Sequence, residues 1–489
     1  MRRISANNIV LIKIFGTIVL MIGIAMAIPW IFAEVTGEAD AARAFRICTP
    51  VTLAAGIGIS AVFRSDRSRF RARDGYLVVS LCWVIASLAG AFPYYLSGST
   101  ETFIDALFES TSGFTTTGAT VLAGGLASPA MNLWKALSHW LGGMGILILA
   151  ISVLPALGIS SQFIVRAEAP GPVYQKTTTR FSSSARVLYL TYFSFTVLEF
   201  ILLMCSRKLS CYDAVITTLG CISTGGLYYH PGGIGLDGSL YIELVLSVFC
   251  ILASINFLMY YYLITGRFLD MLKDIELRAY LLIIAVATIL CSVNLITTDT
   301  LPWRDALREG FFQTVCMAST AGFVRSDGFI WPASCQLILL ILMIVGGCSS
   351  STAGSVKVIR ILVMFKLMIR GMTRRIHPRS VVAVKLGGSA VSAPVVSNIT
   401  VFLLTYAGMI VLSALLMSLQ SADLETSLTT AVAMLSNTGT AITHSVTISE
   451  FSGYHPLMEL YFCLLMIAGR LELFTVLILF TRGFWGRKN

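Results

Sequence analysis

The stretch "SGFTTTGAT" occupies residues 112–120. It carries no charge and little bulk, in a chain that is otherwise mostly apolar. Its pattern is two small polar residues, one variable residue, then glycine. The pattern returns in "CISTGGL" (221–227), "MASTAGF" (317–323) and "MLSNTGT" (434–440). The aligned glycines Gly118, Gly226, Gly322 and Gly439 lie roughly a hundred residues apart, a period far longer than that of a solenoid.

Each copy has the same surroundings. An apolar run comes first, at 77–97, 187–205, 279–296 and 398–418. A short stretch opening with an acid follows: "DALFES" (105–110), "DAVITT" (213–218), "EGFFQT" (309–314) and "ETSLTT" (425–430). A second apolar run comes after the glycine, at 133–157, 240–264, 332–369 and 457–481. Two further runs, 9–32 and 44–63, precede the first copy. The run 9–32 is long and no clear small-residue cleavage site follows it, so it reads as a retained span rather than a signal peptide.

The short stretches decide the topology. A helix of about 12 residues is about 18 Å long, and the hydrocarbon core is about 30 Å thick. Such a helix enters a membrane without crossing it, and the non-helical chain after it must face water or protein. An acid at its start suits the positive end of the helix dipole, so the negative end points at the threonines and glycine. Four such ends converging on one axis make a site for a cation, with backbone carbonyls as ligands and glycine for conformations closed to other residues. A single cluster of this kind reads as a helix-packing motif. Four at matched distances favour the cation site.

Composition agrees with a polytopic membrane protein. The 489 residues are 56% hydrophobic and 12% charged, against about 25% charged in soluble domains. The net charge of +10 is no sign of nucleic-acid binding, because the basic residues sit at span ends. Arg2 and Arg3, "RSDRSRFRAR" (64–73), the block from Lys357 to Lys385 and "RGFWGRKN" at the end, with acidic "AEVTGEAD" between the first two spans, place both termini in the cytoplasm. The eleven cysteines form no CxxC pair and read as small packing residues. His139, His230, His377, His444 and His455 are dispersed, and no nucleophile–base or metal cluster points to an enzyme. No GxGxxG or P-loop pattern marks a nucleotide site.

The motifs together resemble the Trk/Ktr/HKT superfamily of cation transporters, and within it the TrkH/TrkG potassium uptake subunits. "TTTGAT" (115–120), "STGGL" (223–227), "STAGF" (319–323), "SNTGT" (436–440), "HWLGGMGI" (139–146), "GGCSSSTAGSVKVIR" (346–360) and "AGRLELFT" (468–475) carry the resemblance, which covers essentially the whole chain. It implies an all-α integral membrane protein with four membrane–pore–membrane repeats around a pseudo-fourfold axis and two extra N-terminal transmembrane helices. The expected divisions are 1–74 for the extension and 75–158, 159–278, 279–385 and 386–489 for the repeats, the third with a broken second helix. Potassium is the implied transported ion, with no bound organic cofactor. The implied setting is the cell inner membrane, as a homodimer in the lipid bilayer with a TrkA-like cytosolic nucleotide-binding regulatory subunit. The implied potassium filter is Thr116, Thr117 and Gly118; Ser223, Thr224, Gly225 and Gly226; Thr320, Ala321 and Gly322; Asn437, Thr438 and Gly439. Glycine at position 118 is the potassium-type choice, where serine goes with sodium preference. The fourth strand departs from the family's Asn-x-Gly-Pro-Gly, having Thr440 and Ala441 in the last two places, which puts its geometry in question.

Two further features bear on gating. The third repeat's second run is interrupted by "VGGCSSSTAGS" (345–355), with Gly346, Gly347, Ser349, Ser350, Ser351 and Gly354 weakening any helix. We expect a flexible loop below the filter, across the ion path, which is the family's proposed gate; a plain kink is the alternative. Lys357 either joins this gate or reaches the cytosolic interface. Arg470 lies deep in the last span, where a charge must face the pore or a partner. It is expected to face the cavity and contact the serine-rich loop; an ion pair with Glu472 or Glu459 is the alternative. Inward potassium permeation driven by membrane potential is the leading reading, and a symporter coupled to sodium or protons the other.

Overall fold

The computed structural model describes residues 6–62, 72–122, 128–145, 181–226, 239–264, 266–323, 331–379, 383–387, 389–420, 423–442, 447–448 and 451–485. The basic stretch 64–71, the end of the 133–157 run beyond residue 145, Leu227, His230, His444 and both extreme termini lie outside the described residues.

Helices α1 (Ala6–Thr36) and α2 (Ala39–Val62) form a hairpin that turns at Gly37 (φ 76°) and packs against the first repeat. Repeat one then runs α3 (Ala72–Leu96), α4 (Phe103–Phe114) and α5 (Pro129–Gly143). Repeat two has α6 (Phe181–Cys205), α7 (Cys211–Ile222) and α8 (Leu240–Ser254). Repeat three has α9 (Ile275–Thr297), α10 (Trp303–Ala318), α11 (Ala333–Val345) and, beyond a break, α12 (Val358–Ile376). Repeat four has α13 (Ala393–Ser418), α14 (Leu424–Leu435) and α15 (Pro456–Arg470). Two-residue hairpins, β1 (Lys385–Leu386) with β2 (Ser389–Ala390) and β3 (Ala441–Ile442) with β4 (Thr447–Ile448), are the strand pairs among the described residues.

The opening helix of each repeat has 23 to 26 residues, about 35 Å or more of length, enough to cross the ~30 Å hydrocarbon core. These helices keep large apolar side chains exposed, such as Leu282 and Ile289 on α9 and Leu404 and Leu415 on α13. Hydrocarbon is the solvent that tolerates such surface. The short helices α4, α7 and α14 have 12 residues each and are buried over their C-terminal halves. Their N-termini are set by local chemistry. Thr102 and Asp105 exchange the two hydrogen bonds of a capping box at α4, and the Ser210 hydroxyl accepts from the Asp213 amide at α7.

The repeats close into a ring. The helix after the glycine in each repeat packs on the short helix of the next: α5 on α7, α8 on α10, α11 on α14, and α15 back on α4. That cyclic order gives the four repeats around a pseudo-fourfold axis.

Two expectations need correction. The third short helix begins earlier than "EGFFQT" suggests: α10 starts at Trp303, its first-turn acid is Asp305, and Glu309 lies buried one turn further in. The break in the second run is not peculiar to repeat three. Leu240–Ser254 and Phe257–Leu263 meet at 90°, and Pro456–Arg470 and Phe474–Phe480 at 115°. Asn256 makes the first elbow by accepting the Leu258 amide, and Glu472 (φ 58°) and Leu473 (φ 47°) make the second.

Candidate functional site

The four short helices end the same way. Each has a C-cap residue, Thr115, Ser223, Ser319 or Ser436, followed by a residue in the left-handed region: Thr116 (φ 56°), Thr224 (φ 56°), Thr320 (φ 57°) or Asn437 (φ 57°). The amides of Thr116 and Thr117 turn back to the carbonyls of Gly113 and Ser112. Thr224 and Gly225 bond Cys221 and Gly220, Thr320 and Ala321 bond Met317 and Cys316, and Asn437 and Thr438 bond Met434 and Ala433. This is the Schellman ending, which ordinarily uses glycine or asparagine. A β-branched residue there is an outlier, at a strain of roughly 1–3 kcal/mol per site. Three threonines in this conformation, at equivalent places, mark the strands that follow as held for a purpose other than stability.

The glycines come next, all with positive φ: Gly118 (83°), Gly226 (68°), Gly322 (67°) and Gly439 (67°). A Cβ at Gly118 would overlap the Gly225 carbonyl oxygen; at Gly226, that of Ala321; at Gly322, that of Thr438; at Gly439, that of Thr117. Each glycine thus abuts the strand of the next repeat, and the fourth returns to the first. Absence of a side chain is required here by the neighbouring carbonyl as much as by φ, a reason that sequence alone does not supply. The ring gathers Thr116, Thr117, Gly118, Ser223, Thr224, Gly225, Gly226, Thr320, Ala321, Gly322, Asn437, Thr438 and Gly439 into one assembly. Among the described residues no hydrogen bond reaches the carbonyls of Thr117, Gly225, Ala321 or Thr438. With the amides directed back into the helices, these oxygens are left available for a cation. The fourth strand follows the others despite Thr440 and Ala441: Gly439 keeps their φ.

The hydroxyls knit the strands. Ser112 Oγ donates to Ala119 O at 2.6 Å, Thr115 and Thr117 share a 2.7 Å bond, and so do Ser436 and Thr438. Asn437 Nδ2 reaches Thr117 Oγ1 (3.0 Å) and Met466 O (2.8 Å), tying the fourth strand to the first.

Three supporting residues were not identified from sequence. The fully buried Glu109 accepts from Thr120 Oγ1 (2.6 Å), the Val121 amide (2.7 Å) and Lys135 Nζ (2.6 Å), and Lys135 also donates to Ala119 O at 3.2 Å. This buried ion pair braces the first strand's outer end. His139, fully buried on α5, has its ring where a side chain at Gly225 would lie. The only signal for the pair was two charges in apolar surroundings, and for His139 its place in "HWLGGMGI".

Residues 346–357 are held from several sides. Cys348 and Thr352 amides donate to Ser254 O and Ala253 O of repeat two, and Ser350 O accepts from the Phe257 amide. The amide and hydroxyl of Ser349 both bond the Glu276 carboxylate at 2.7 Å. Gly354 donates to Thr320 Oγ1 at 2.8 Å, and a Cβ there would overlap Ser436 O. Gly346 (φ 69°) turns the chain and Gly347 packs on Ala353 and Ser254. The loop therefore lies against the third and fourth strands and carries a dense set of bonds, where sequence suggested a flexible segment.

Arg470 donates to Thr352 O at 2.6 Å and to Gly142 O and Gly143 O at 2.7 Å each. It joins the loop to the end of α5, a second anchor that the sequence reading did not include. Glu472, considered as its partner, is bonded instead to Arg360. Lys357 does not reach out to a cytosolic interface: it is buried and its ammonium bonds Ala353 O within the loop.

A family model described as "TrkH: Cation transport protein" matches residues 43–485. The "Trk system potassium uptake protein TrkH" of Escherichia coli K12 is 33% identical over 480 residues, covering 97% of this chain and 98% of the relative. The "Trk system potassium uptake protein TrkG" of the same strain is 32% identical over 437 residues, covering 88% of this chain and 89% of the relative. The crystal structure of the potassium transporter TrkH from Vibrio parahaemolyticus superposes with a TM-score of 0.86 at 30% identity, covering 97% of this chain and 99% of that one.

Proposed function

The chain belongs to the TrkH family of cation transport proteins, and from that membership we propose that it takes up potassium across a bacterial inner membrane through a channel-like pore. The observation that carries the reading is the closed ring in which Gly118, Gly226, Gly322 and Gly439 each abut the next repeat's carbonyl. Carbonyls of residues 116–118, 223–226, 320–322 and 437–439 replace the water shell of the ion. Membrane potential drives the flow, one charge gaining about 2.3 kcal/mol per 100 mV.

The loop with Gly346, Gly347, Ser349, Ser350 and Gly354 closes the path beneath the strands, and Arg470 and Lys357 hold it there. Its opening is controlled by a TrkA-like cytosolic nucleotide-binding subunit acting on a homodimer with both termini in the cytoplasm. Potassium is the cargo, and no organic cofactor enters the process. The named activities of the relatives support the ion and the direction.

Coupled symport is the second reading, and one observation favours it. Glu199 is fully buried on α6, its carboxylate set against the Cys221 thiol and in no ion pair among the described residues. Cys221 lies in the last turn of α7, and its carbonyl accepts from the Thr224 amide of the second strand. Potassium uptake in cells lacking their own potassium systems, with and without the cytosolic subunit, tests the main reading. Uptake that follows an imposed potential with no sodium or proton gradient supports the pore; uptake that requires such a gradient supports coupling.

A further inference from the structure

Thr440 stands where the other three strands have Ala119, Leu227 and Phe323, so the fourth repeat alone offers a hydroxyl at this place. Its side chain is buried, and Oγ1 donates to the carbonyl oxygen of Gly322, across the boundary to the third repeat, at 2.7 Å. The Gly322 amide is bonded to Cys316 O, so its residue is held on both sides. Among the described residues no hydrogen bond reaches the carbonyls of Gly118, Gly226 or Gly439. The chain beyond Thr440 is anchored too: Ala441 pairs with Ile448, and the Phe451 amide donates to Thr120 O at 2.6 Å. The fourth strand is therefore fastened to the third by Thr440 and to the first by the segment that follows.

We propose that Thr440 is a positioning residue for cation selectivity, its hydroxyl strapping the fourth strand to the third and fixing the Gly322 carbonyl. This rests on the filter reading above. A carbonyl oxygen has two lone pairs. With one occupied by the hydroxyl, the Gly322 oxygen is held in place and presents a weaker field than its three counterparts. The outermost set of oxygens is then unequal, three without a hydrogen bond among the described residues and one engaged. Such an unequal set discriminates between ions of different size through the spacing that the strap maintains.

The test uses the full-length chain in potassium-loaded vesicles and reads the potassium-over-sodium permeability ratio, with thermal unfolding in detergent as a second readout. Thr440→Val keeps the shape without the hydroxyl, and Thr440→Ser keeps the hydroxyl. The ratio is expected to fall about fivefold in Thr440→Val, equivalent to ~1 kcal/mol, and to be restored in Thr440→Ser. Gly118→Ser is run in parallel. A changed ratio in Gly118→Ser with none in Thr440→Val overturns the strap and leaves the filter standing. Unchanged ratios in both overturn the filter reading itself. Equal losses in the valine and serine variants show that shape, not the hydroxyl, matters, and also overturn the strap. Should Thr440→Val fail to fold, Thr440→Ala is measured; unfolding of both, with a stable Thr440→Ser, assigns the bond to stability and rejects a part in selectivity.

Discussion

Gly439 of the fourth repeat lies so close to the Thr117 carbonyl oxygen of the first that no side chain fits between them. That contact closes the ring, and its φ of 67° is one that alanine resists. Gly439→Ala should reduce radiolabelled rubidium uptake at least about tenfold, because a misplaced strand removes its share of a shared coordination shell. Uptake at the unsubstituted level in a well-expressed protein would sink the ring as the ion path.

The ion pair between Lys135 and Glu109, with side chains 5% and 0% exposed, is a buried pair whose members depend on each other. Lys135→Met alone should destabilise the protein by about 3–5 kcal/mol, since it leaves a buried carboxylate without its counter-charge. Adding Glu109→Leu should recover much of that loss in thermal unfolding. Selectivity should nevertheless be impaired in the double variant, because there Thr120 and Val121 lose the carboxylate they bond.

Arg470 fastens the loop through Thr352 and the end of α5 through Gly142 and Gly143. Hydrogen bonds to a charged group are each worth about 1.5–3 kcal/mol. Arg470→Ala should therefore release the loop and raise resting cation leak in vesicles, and Arg470→Lys, with fewer donors, should give an intermediate leak. A leak equal to or below that of the unsubstituted protein would count against the latch.

Gly354 touches the third strand through Thr320 and the fourth through Ser436. Gly354→Ala should push the loop off both, and deleting residues 347–350 should remove its bonds to Ser254, Phe257 and Glu276. Both changes are expected to increase flux in the absence of any cytosolic subunit. Decreased flux in the deletion would show that the loop supports conduction rather than blocking it.

His139 fills the space behind Gly225. Truncation to alanine leaves a cavity against the second strand, with a stability loss of about 2–4 kcal/mol by analogy with other buried large-to-small changes. The informative readout is the potassium-over-sodium ratio, expected to fall because the strand gains room to shift. A ratio that is unchanged in a destabilised protein would limit His139 to packing.

Much of this architecture was legible in the chain. Run length identified the opening helices, and the four small-residue clusters at a fixed distance from a half-length helix identified the ring. What escaped was direction. Hydropathy does not report where a helix bends, so the elbows at Ile255–Asn256 and Glu472–Leu473 were hidden inside apolar runs. Spacing also misassigned Glu309, because α10 is longer than its three counterparts and carries Asp305 at its start. The partners of Glu472 and Lys135 were out of reach for another reason. Arg360 is 112 residues from Glu472, in the preceding repeat, and Glu109 is 26 from Lys135, on the other side of the turn between α4 and α5, so only the folded chain brings each pair together.

The four quadrants belong to a single polypeptide, not to four identical subunits. In a homotetrameric channel every amino-acid change arrives in quadruplicate, so the axis can only be altered evenly. Here one codon edits one side and leaves three untouched. Under the proposed pore reading, the passage can thus evolve lopsidedly, in small steps, with the unaltered sides preserving conduction while a single flank is varied.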